Sequence, residues 1–484
     1  MRPINKSVFI KSLDCRRLAW HLYRNLVERD RLSADDFLIY ESKKIHSMAQ
    51  ELFAGGVQVK AATLQEALDK TKELTSNPEI KAVFEPVFEY NGFTARADIL
   101  SRQGDEWHIT EVKAGNKGKR KYIIDMAYTA LILSKNIKNI SKSKLMLLSK
   151  DFRLGMPVER LFSETDFTTE VFTKMYEYDA MCPDIKAMLE NEIPPDMQLK
   201  MCCKNCPLFK QCTGKDIDYH IFDLPRLSHT SFDQLCSMNI NTIKDVPDSV
   251  ELTETQKNVK DCIINDKIFI SSNLKTELEK IIFPVYYLDF ESVMTIYPLY
   301  QNICPHTQIV TQYSLHKASN LSDDPEHFEF IADHTKDDRL SLAENLIKDI
   351  GEEGSIITYS SFEHQILQHL AGLYPHLHEK ISKISSRIID LEAILKSNYY
   401  DKQFHGKTSI KKVLPIMIPE MNYNSLEIAE GGSALSAFAY MGVGLYNEEQ
   451  IAETKKNLLE YCKQDTLALV KMHRFLAQSA NIRL

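Results

Sequence analysis

The stretch that most constrains this chain runs from Ala97 to Lys113. Ala97-Asp98-Ile99-Leu100 and Trp107-His108-Ile109-Thr110-Glu111-Val112-Lys113 are short apolar runs at strand period, with a polar turn at Gly104-Asp105 between them. That pattern predicts a hairpin. Side chains two apart on a strand share a face, so Glu111 and Lys113 point the same way, and the hairpin brings Asp98 beside them. Two carboxylates can hold a hard divalent cation, and a lysine next to them can position a water or stabilise charge on a phosphate. An exposed polar hairpin face shows the same residue types by chance, so the flanking sequence matters. Glu85-Pro86-Val87-Phe88-Glu89 reads as an acid-bearing strand before the hairpin, Tyr122 to Leu133 as a helix after it, and Lys144 to Ser149 as a buried strand.

This order of strand, hairpin and helix resembles the PD-(D/E)XK nuclease core in its RecB-type branch. Asp98, Glu111 and Lys113 match the signature acid, acid and lysine. The resemblance implies metal-dependent phosphodiester hydrolysis, and it implies an extra metal ligand in His46, on a helix predicted over Phe37 to Phe53. One departure stands out. Many relatives of this type carry a glutamine and a tyrosine four apart on the helix after the hairpin, whereas here Tyr128 is followed by Thr129 and no glutamine appears.

The chain has ten cysteines, and its N-terminus lacks the uninterrupted apolar stretch of a signal peptide. A cytoplasmic location is expected, with thiols that are buried or bind metal rather than pair as disulfides. Cys182, Cys236, Cys262, Cys304 and Cys462 lie in apolar surroundings and read as core residues. Cys15 falls in the middle of a helical pattern that starts at Ser7. Cys203-x2-Cys206-x5-Cys212 places three thiols in one loop, with Cys202 as a spare. Zinc and an iron–sulfur cluster both accept four thiolates, so ligand chemistry leaves the two open. RecB-type nucleases of the AddB and CRISPR-associated kinds use one cysteine before the core and three after it, around a four-iron cluster. Cys15, Cys203, Cys206 and Cys212 match that division, which implies a 4Fe-4S cluster.

At Val285 the texture changes. Val285-Tyr286-Tyr287-Leu288-Asp289-Phe290-Glu291 is an apolar strand with two acids on one face. Ile356 to Tyr359 reads as a strand leading into a helix whose first turn holds Glu363. From Asn457 a helix carries Tyr461 and Asp465 four apart, hence on one side. Four acids in this order resemble the DEDD exonucleases of the DnaQ-like, ribonuclease H-type fold, in the subclass marked by Tyr-x3-Asp. The resemblance implies two Mg²⁺ or Mn²⁺ ions held by Asp289, Glu291, Glu363 and Asp465, with Tyr461 orienting a water. The acid that follows the Asp-x-Glu pair is usually an aspartate, and here it is Glu363. Gly406 to Pro415 resembles a helix that such enzymes place near the substrate.

Together these readings give an α/β protein of three parts. Residues 1–217 form a PD-(D/E)XK nuclease domain with an iron–sulfur clasp, 218–282 a small helical connector of helix-hairpin-helix type, and 283–484 a ribonuclease H-like exonuclease domain. A formal net charge of −8 argues against indiscriminate coating of nucleic acid. A local cluster, Lys113 to Lys121, still holds five basic residues and no acid. No apolar run approaches the ~20 residues that span a bilayer, so no membrane partner is expected, and the two resemblances imply DNA, or RNA, as the partner. The altered Glu363 and the missing glutamine leave an alternative, a nucleic-acid-binding or scaffolding protein with one or both centres inactive.

Overall fold

In a computed structural model the described residues are 2–27, 33–214, 217–421, 427–428 and 431–482. They are mixed α/β and divide into two compact units. Among them no helix is long and apolar enough to cross a membrane.

The first unit comprises Met1–Gln198, Asn205–Leu208 and Thr295–Thr307. Its elements are β1 (Ile4–Asn5), α1 (Lys6–Asp14), α2 (Arg16–Tyr23), α3 (Ser33–Glu51), β2 (Val57–Gln58), α4 (Leu64–Ser76), β3 (Ala82–Phe84), β4 (Val87–Tyr90), β5 (Phe93–Arg96), β6 (Ile99–Gln103), β7 (Glu106–Lys113), α5 (Arg120–Ser134), β8 (Ile140–Leu148), β9 (Phe162–Asp166) and α6 (Thr168–Glu190). The main sheet runs β2-β3-β6-β7-β8-β9. Within it β6 and β7 form the antiparallel hairpin, turning at Gly104 with φ +62°, and β8 returns parallel to β7 after α5. Beyond its basic first turn helix α5 is largely apolar, and Met126, Ala127, Tyr128 and Ala130 to Leu133 are buried in the main core of this unit. A helix with so little polar surface has to be covered on most sides. Helices α1 and α6 and the small sheet β1-β5-β4 supply residues to the same core.

Two local expectations are corrected. The strand predicted over 85–89 is broken, because Glu85 takes a left-handed φ of +52° and Pro86 has no N–H to donate. The pieces on either side enter different sheets, β3 the larger and β4 the smaller. Cys15 does not sit inside a helix. Its φ of −146° is extended, so it ends α1 and caps α2, its Sγ accepting from the Leu18 N–H at 3.4 Å.

The second unit comprises Leu199–Lys204, Phe209–Met294 and Gln308–Leu484. It contains α7 (His229–Ser237), α8 (Glu254–Asn265), β10 (Phe269–Ile270), α9 (Leu274–Leu278), β11 (Val285–Met294), β12 (Gln308–Ala318), β13 (Glu326–Ile331), α10 (Arg339–Asp349), β14 (Ile356–Thr358), α11 (Phe362–Leu373), α12 (His378–Ser385), β15 (Ile388–Asp390), α13 (Leu391–Asn398), β16 (Tyr399–Tyr400), α14 (Ile410–Met417), α15 (Gly431–Gly442) and α16 (Glu448–Ser479). Its central sheet has the order β13-β12-β11-β14-β15. The first three strands form an antiparallel meander, while β14 and β15 lie parallel to β11. One face of β11 is apolar. Tyr286, Leu288 and Phe290 join a core with Leu342 and Leu346 of α10 and Ile366, Leu367 and Leu370 of α11. The stretch expected as a connector contributes α7, α8 and α9 to this unit, with Asn239 left-handed after α7 and β10 paired to β16.

Candidate metal centres

The hairpin register explains the first centre. Ile99 lies opposite Thr110, so Asp98, one residue earlier, meets the backbone around Glu111. Its Oδ2 accepts the Val112 N–H at 2.7 Å. Glu111 is 1% exposed. Its Oε1 takes two ammonium groups, Lys113 Nζ at 2.7 Å and Lys6 Nζ at 3.2 Å, while Oε2 is buried with no hydrogen-bond partner. His46, on α3, places Nδ1 3.9 Å from Asp98 Oδ1. Asp98, Glu111, Lys113 and His46 are therefore assembled in one place from two strands and a helix.

Electrostatics separate the two acids. Burial pushes Asp98 up to about 7, with the neighbouring Glu111 charge adding to it. Burial alone would raise Glu111 too, but Lys6 and Lys113 outweigh it and hold the group down to about 2. Burial lowers His46, keeping its imidazole neutral and able to act as a ligand. Lys113 also approaches Asp125 Oδ2 at 3.7 Å and the Tyr122 ring at 5.6 Å, both on α5. Tyr128, on the same helix, plays another part: its buried hydroxyl bonds the carbonyls of Ile4 at 2.8 Å and Thr94 at 3.0 Å.

Sequence reasoning missed Lys6 and Asp125. Lys6 is 105 positions from Glu111, and nothing in a lysine at the start of an N-terminal helix signals such a contact.

The second centre forms where β11 meets α16. Asp289, Glu291 and Asp465 bring one carboxylate oxygen each to within 4.8 Å of one another. Strand alternation puts the two β11 acids on the face opposite the apolar core. A bulge between Glu291 and Ser292 then breaks the register with β12. On α16 the buried positions Leu458, Tyr461, Cys462, Asp465, Thr466, Leu469, Met472 and His473 recur at helical spacing. That seam is partly polar: Tyr287 Oη bonds His473 Nδ1 at 2.9 Å, and Ser314 and His316 each bond Thr466 Oγ1 at 2.8 Å.

Glu363, in the first turn of α11, is 3% exposed, with Oε2 buried and unpartnered by hydrogen bonds. The turn before it is strained. Ser360 has φ +112°, held by its N–H on Asp390 Oδ1 at 3.1 Å and by its Oγ on the Phe362 N–H at 3.2 Å. Such conformations cost about 1–3 kcal/mol and persist where the surroundings over-determine them.

Asp289, Glu291 and Glu363 are driven the same way. Burial raises Asp289 well above the usual carboxylate range, and Asp465 adds to it. Burial, then Asp289 and Asp465, raise Glu291. Burial and Asp289 push Glu363 up to about 9. A dense set of buried acids that raise one another suits a site for positive charge.

Two side chains beside these acids were not singled out from sequence. Lys411, in the α14 region expected near a substrate, sits 4.9 Å over the Tyr461 ring, and its charge draws both Asp289 and Glu291 down. Cys462, expected as a plain core thiol, instead donates from Sγ to Asp289 Oδ2 at 3.3 Å. The spacing of Cys462 to Asp465 on one helix was the available signal.

Among the cysteines near the middle of the chain, Cys203 is 9% exposed and its Sγ accepts the Lys200 N–H at 3.4 Å. Cys206 and Cys212 are half-buried.

Residues 286–409 match a family described as "Domain of unknown function (DUF2779)". The matched stretch contains Asp289, Glu291 and Glu363 but ends before Tyr461 and Asp465. The chain is also 27% identical over 233 residues to the "Uncharacterized protein MG366 homolog" of Mycoplasma pneumoniae, covering 44% of this chain and 35% of that protein. It is 27% identical over 209 residues to "Uncharacterized protein MG366" of Mycoplasma genitalium, covering 39% and 31%. The chain thus spans about a third of the length of these relatives.

Proposed function

We propose that this chain is a metal-dependent nuclease with two centres, hydrolysing phosphodiester bonds of DNA exonucleolytically, in DNA repair or defence against foreign DNA. The observation that carries the reading is the convergence of Asp289, Glu291 and Asp465 within 4.8 Å, on a strand and a helix far apart in sequence. The sheet order β13-β12-β11-β14-β15 supports a ribonuclease H-like reading of that unit, and the hairpin with Asp98, Glu111 and Lys113 supports a PD-(D/E)XK reading of the other.

Mg²⁺ or Mn²⁺ fits the donor sets, since Glu111 and Glu363 each hold a buried carboxylate oxygen that no hydrogen bond satisfies. When bound, such ions supply Lewis-acid polarisation of the phosphate and a more acidic water. The protein's own groups have separate tasks. Asp98, Glu111 and His46 would hold the ion at the first centre, while the Lys113 ammonium faces developing charge on the phosphate. At the second centre Asp289, Glu291, Glu363 and Asp465 would hold the ions. Tyr461, fixed under Lys411, would orient the attacking water.

Cys15, Cys203, Cys206 and Cys212 are proposed to hold a 4Fe-4S cluster that clasps the first domain. In support, the sulfurs of Cys15 and Cys203 already receive backbone N–H groups, the kind of contact that stabilises thiolate ligands. Brown colour with a visible absorption band is the expected outcome of anaerobic purification. A colourless protein containing zinc would overturn the cluster.

The nuclease reading is tested with end-labelled single- and double-stranded DNA and RNA in Mg²⁺ or Mn²⁺. Wild type, Lys113→Ala, Asp289→Ala and the double variant are compared. Each single variant is expected to lose one component of degradation and the double variant all of it. A wild type that degrades nothing under any of these conditions sinks the proposal.

A further inference from the structure

We infer that Lys6 is a built-in stand-in for the metal ion at the first centre: its ammonium holds Glu111 until a divalent cation displaces it, and is then free for an incoming phosphate. The inference rests on the reading that this centre binds a divalent cation. Three features of the geometry support it.

First, Glu111 is doubly countered on a single oxygen. Lys113 at 2.7 Å and Lys6 at 3.2 Å both approach Oε1, whereas Oε2 is buried and bare. One carboxylate charge needs one ammonium, so the second cation is surplus to the ion pair and belongs to the site's larger charge balance. Second, the two lysines are not equally fixed. Lys113 stands two residues from Glu111 on β7, with Asp125 at 3.7 Å and the Tyr122 ring at 5.6 Å as further partners. Lys6 has in addition a hydrogen bond to the Thr129 hydroxyl, at 3.4 Å, and its charge also reaches Asp98. The two side chains are similarly exposed, 29% for Lys6 and 24% for Lys113, so the difference between them lies in distance and partners. Third, its placement is not a by-product of the chain nearby. Asn5 caps α1 through the Val8 N–H at 3.0 Å, and β1 pairs with β5, which together set the start of α1 beside a carboxylate 105 positions away.

A dication arriving at Asp98 and Glu111 repels an ammonium within a few ångströms far more strongly than it would in water. Lys6, the more distant of the two, yields and Lys113 stays. Lys6 therefore lowers the site's affinity for the ion while keeping Glu111 neutralised in its absence.

The test is titration of Mn²⁺, followed by electron paramagnetic resonance of the free ion, into the full chain carrying Asp289→Asn and Asp465→Asn so that the first centre is read alone. Adding Lys6→Met or Lys6→Gln is expected to tighten Mn²⁺ binding about tenfold, the scale of a close like-charge contact removed. Lys6→Arg, which keeps the charge, should leave affinity near that of the parent, and circular dichroism verifies that each variant is folded. Equal or weaker binding in both Lys6→Met and Lys6→Gln overturns the inference alone. Absence of Mn²⁺ binding in every protein of the series overturns it together with the metal reading of the first centre.

Discussion

At the first centre the protein brings its own cations to a buried carboxylate, Lys113 and Lys6 on Glu111. At the second, Asp289, Glu291 and Asp465 crowd together with Glu363 nearby, and Lys411 draws Asp289 and Glu291 down against the larger effects of burial and neighbouring acids. The consequences are opposite. Glu111 is held near 2 and ionised at any physiological pH, while Glu363 is pushed to about 9 and keeps its proton. One centre is nearly balanced as built. The other stores repulsion that only added positive charge or bound protons relieve, so its dependence on metal should be the steeper.

The largest expected effect breaks the comparison at its acid-rich side. In a Lys113→Ala background, Asp465→Asn should lower the remaining hydrolysis more than about 100-fold, beyond the 10–100-fold typical of residues that merely support a ligand. Retention of that activity, measured on end-labelled DNA, would remove Asp465 from the centre. In the converse background, Asp289→Asn, the Lys113→Ala change should cost about 100-fold, the scale of losing one group that faces developing charge. An activity unchanged by it would mean that the lysine is only the partner of Glu111.

A third prediction sharpens the contrast through pH. Glu363 binds its proton more tightly folded than unfolded, so its contribution to stability is complete below about 4.5 and is lost as pH rises through about 9. Asp98 behaves likewise but over a lower window, from about 3.8 through about 7. Glu111 has the reverse sign: its contribution is present above about 4.5 and lost as pH falls through about 2. Burial holds His316, His327 and His473 well below 6.5, and they act with the opposite sign up to that pH, so metal-free protein should lose thermal stability as pH rises from about 7 to 9. Differential scanning calorimetry with saturating Mg²⁺ should flatten that slope, because an ion that binds only the folded state raises its midpoint. A slope unaffected by Mg²⁺ would refute the charge argument.

The smallest effect concerns the scaffold of the first centre. Glu41, on the same helix as His46 and 2% exposed, accepts the N–H groups of Ile296 at 3.0 Å and Tyr297 at 3.1 Å. Glu41→Ala leaves two N–H groups without that acceptor and should cost roughly 2 kcal/mol, read by chemical denaturation, with less loss in Glu41→Gln. No change in stability would show that water replaces the carboxylate there.

Much of both centres was legible because their residues sit at short, periodic spacings. Strand alternation gave Glu111 with Lys113 and Asp289 with Glu291, and a helical turn gave Tyr461 with Asp465. The hairpin turn at Gly104 was readable for the same reason. The failures were also local. A left-handed Glu85 before Pro86 split an apparently continuous strand, and an extended Cys15 split an apparently continuous helix, both set by packing on two sheets or two helices that periodicity alone does not register.

Which faces carry acids follows from the order of residues alone, because a side chain's direction along a strand or helix follows from its position in the repeat. What surrounds those acids only the tertiary structure decided. Lys6 reaches Glu111 across 105 positions, Cys462 lies against Asp289 across 173, and Lys411 stacks on Tyr461. These contacts arise where separate elements pack around buried charge. Solvent exclusion then makes each nearby cation, thiol or empty oxygen count, a property of the assembled volume that no stretch of chain contains.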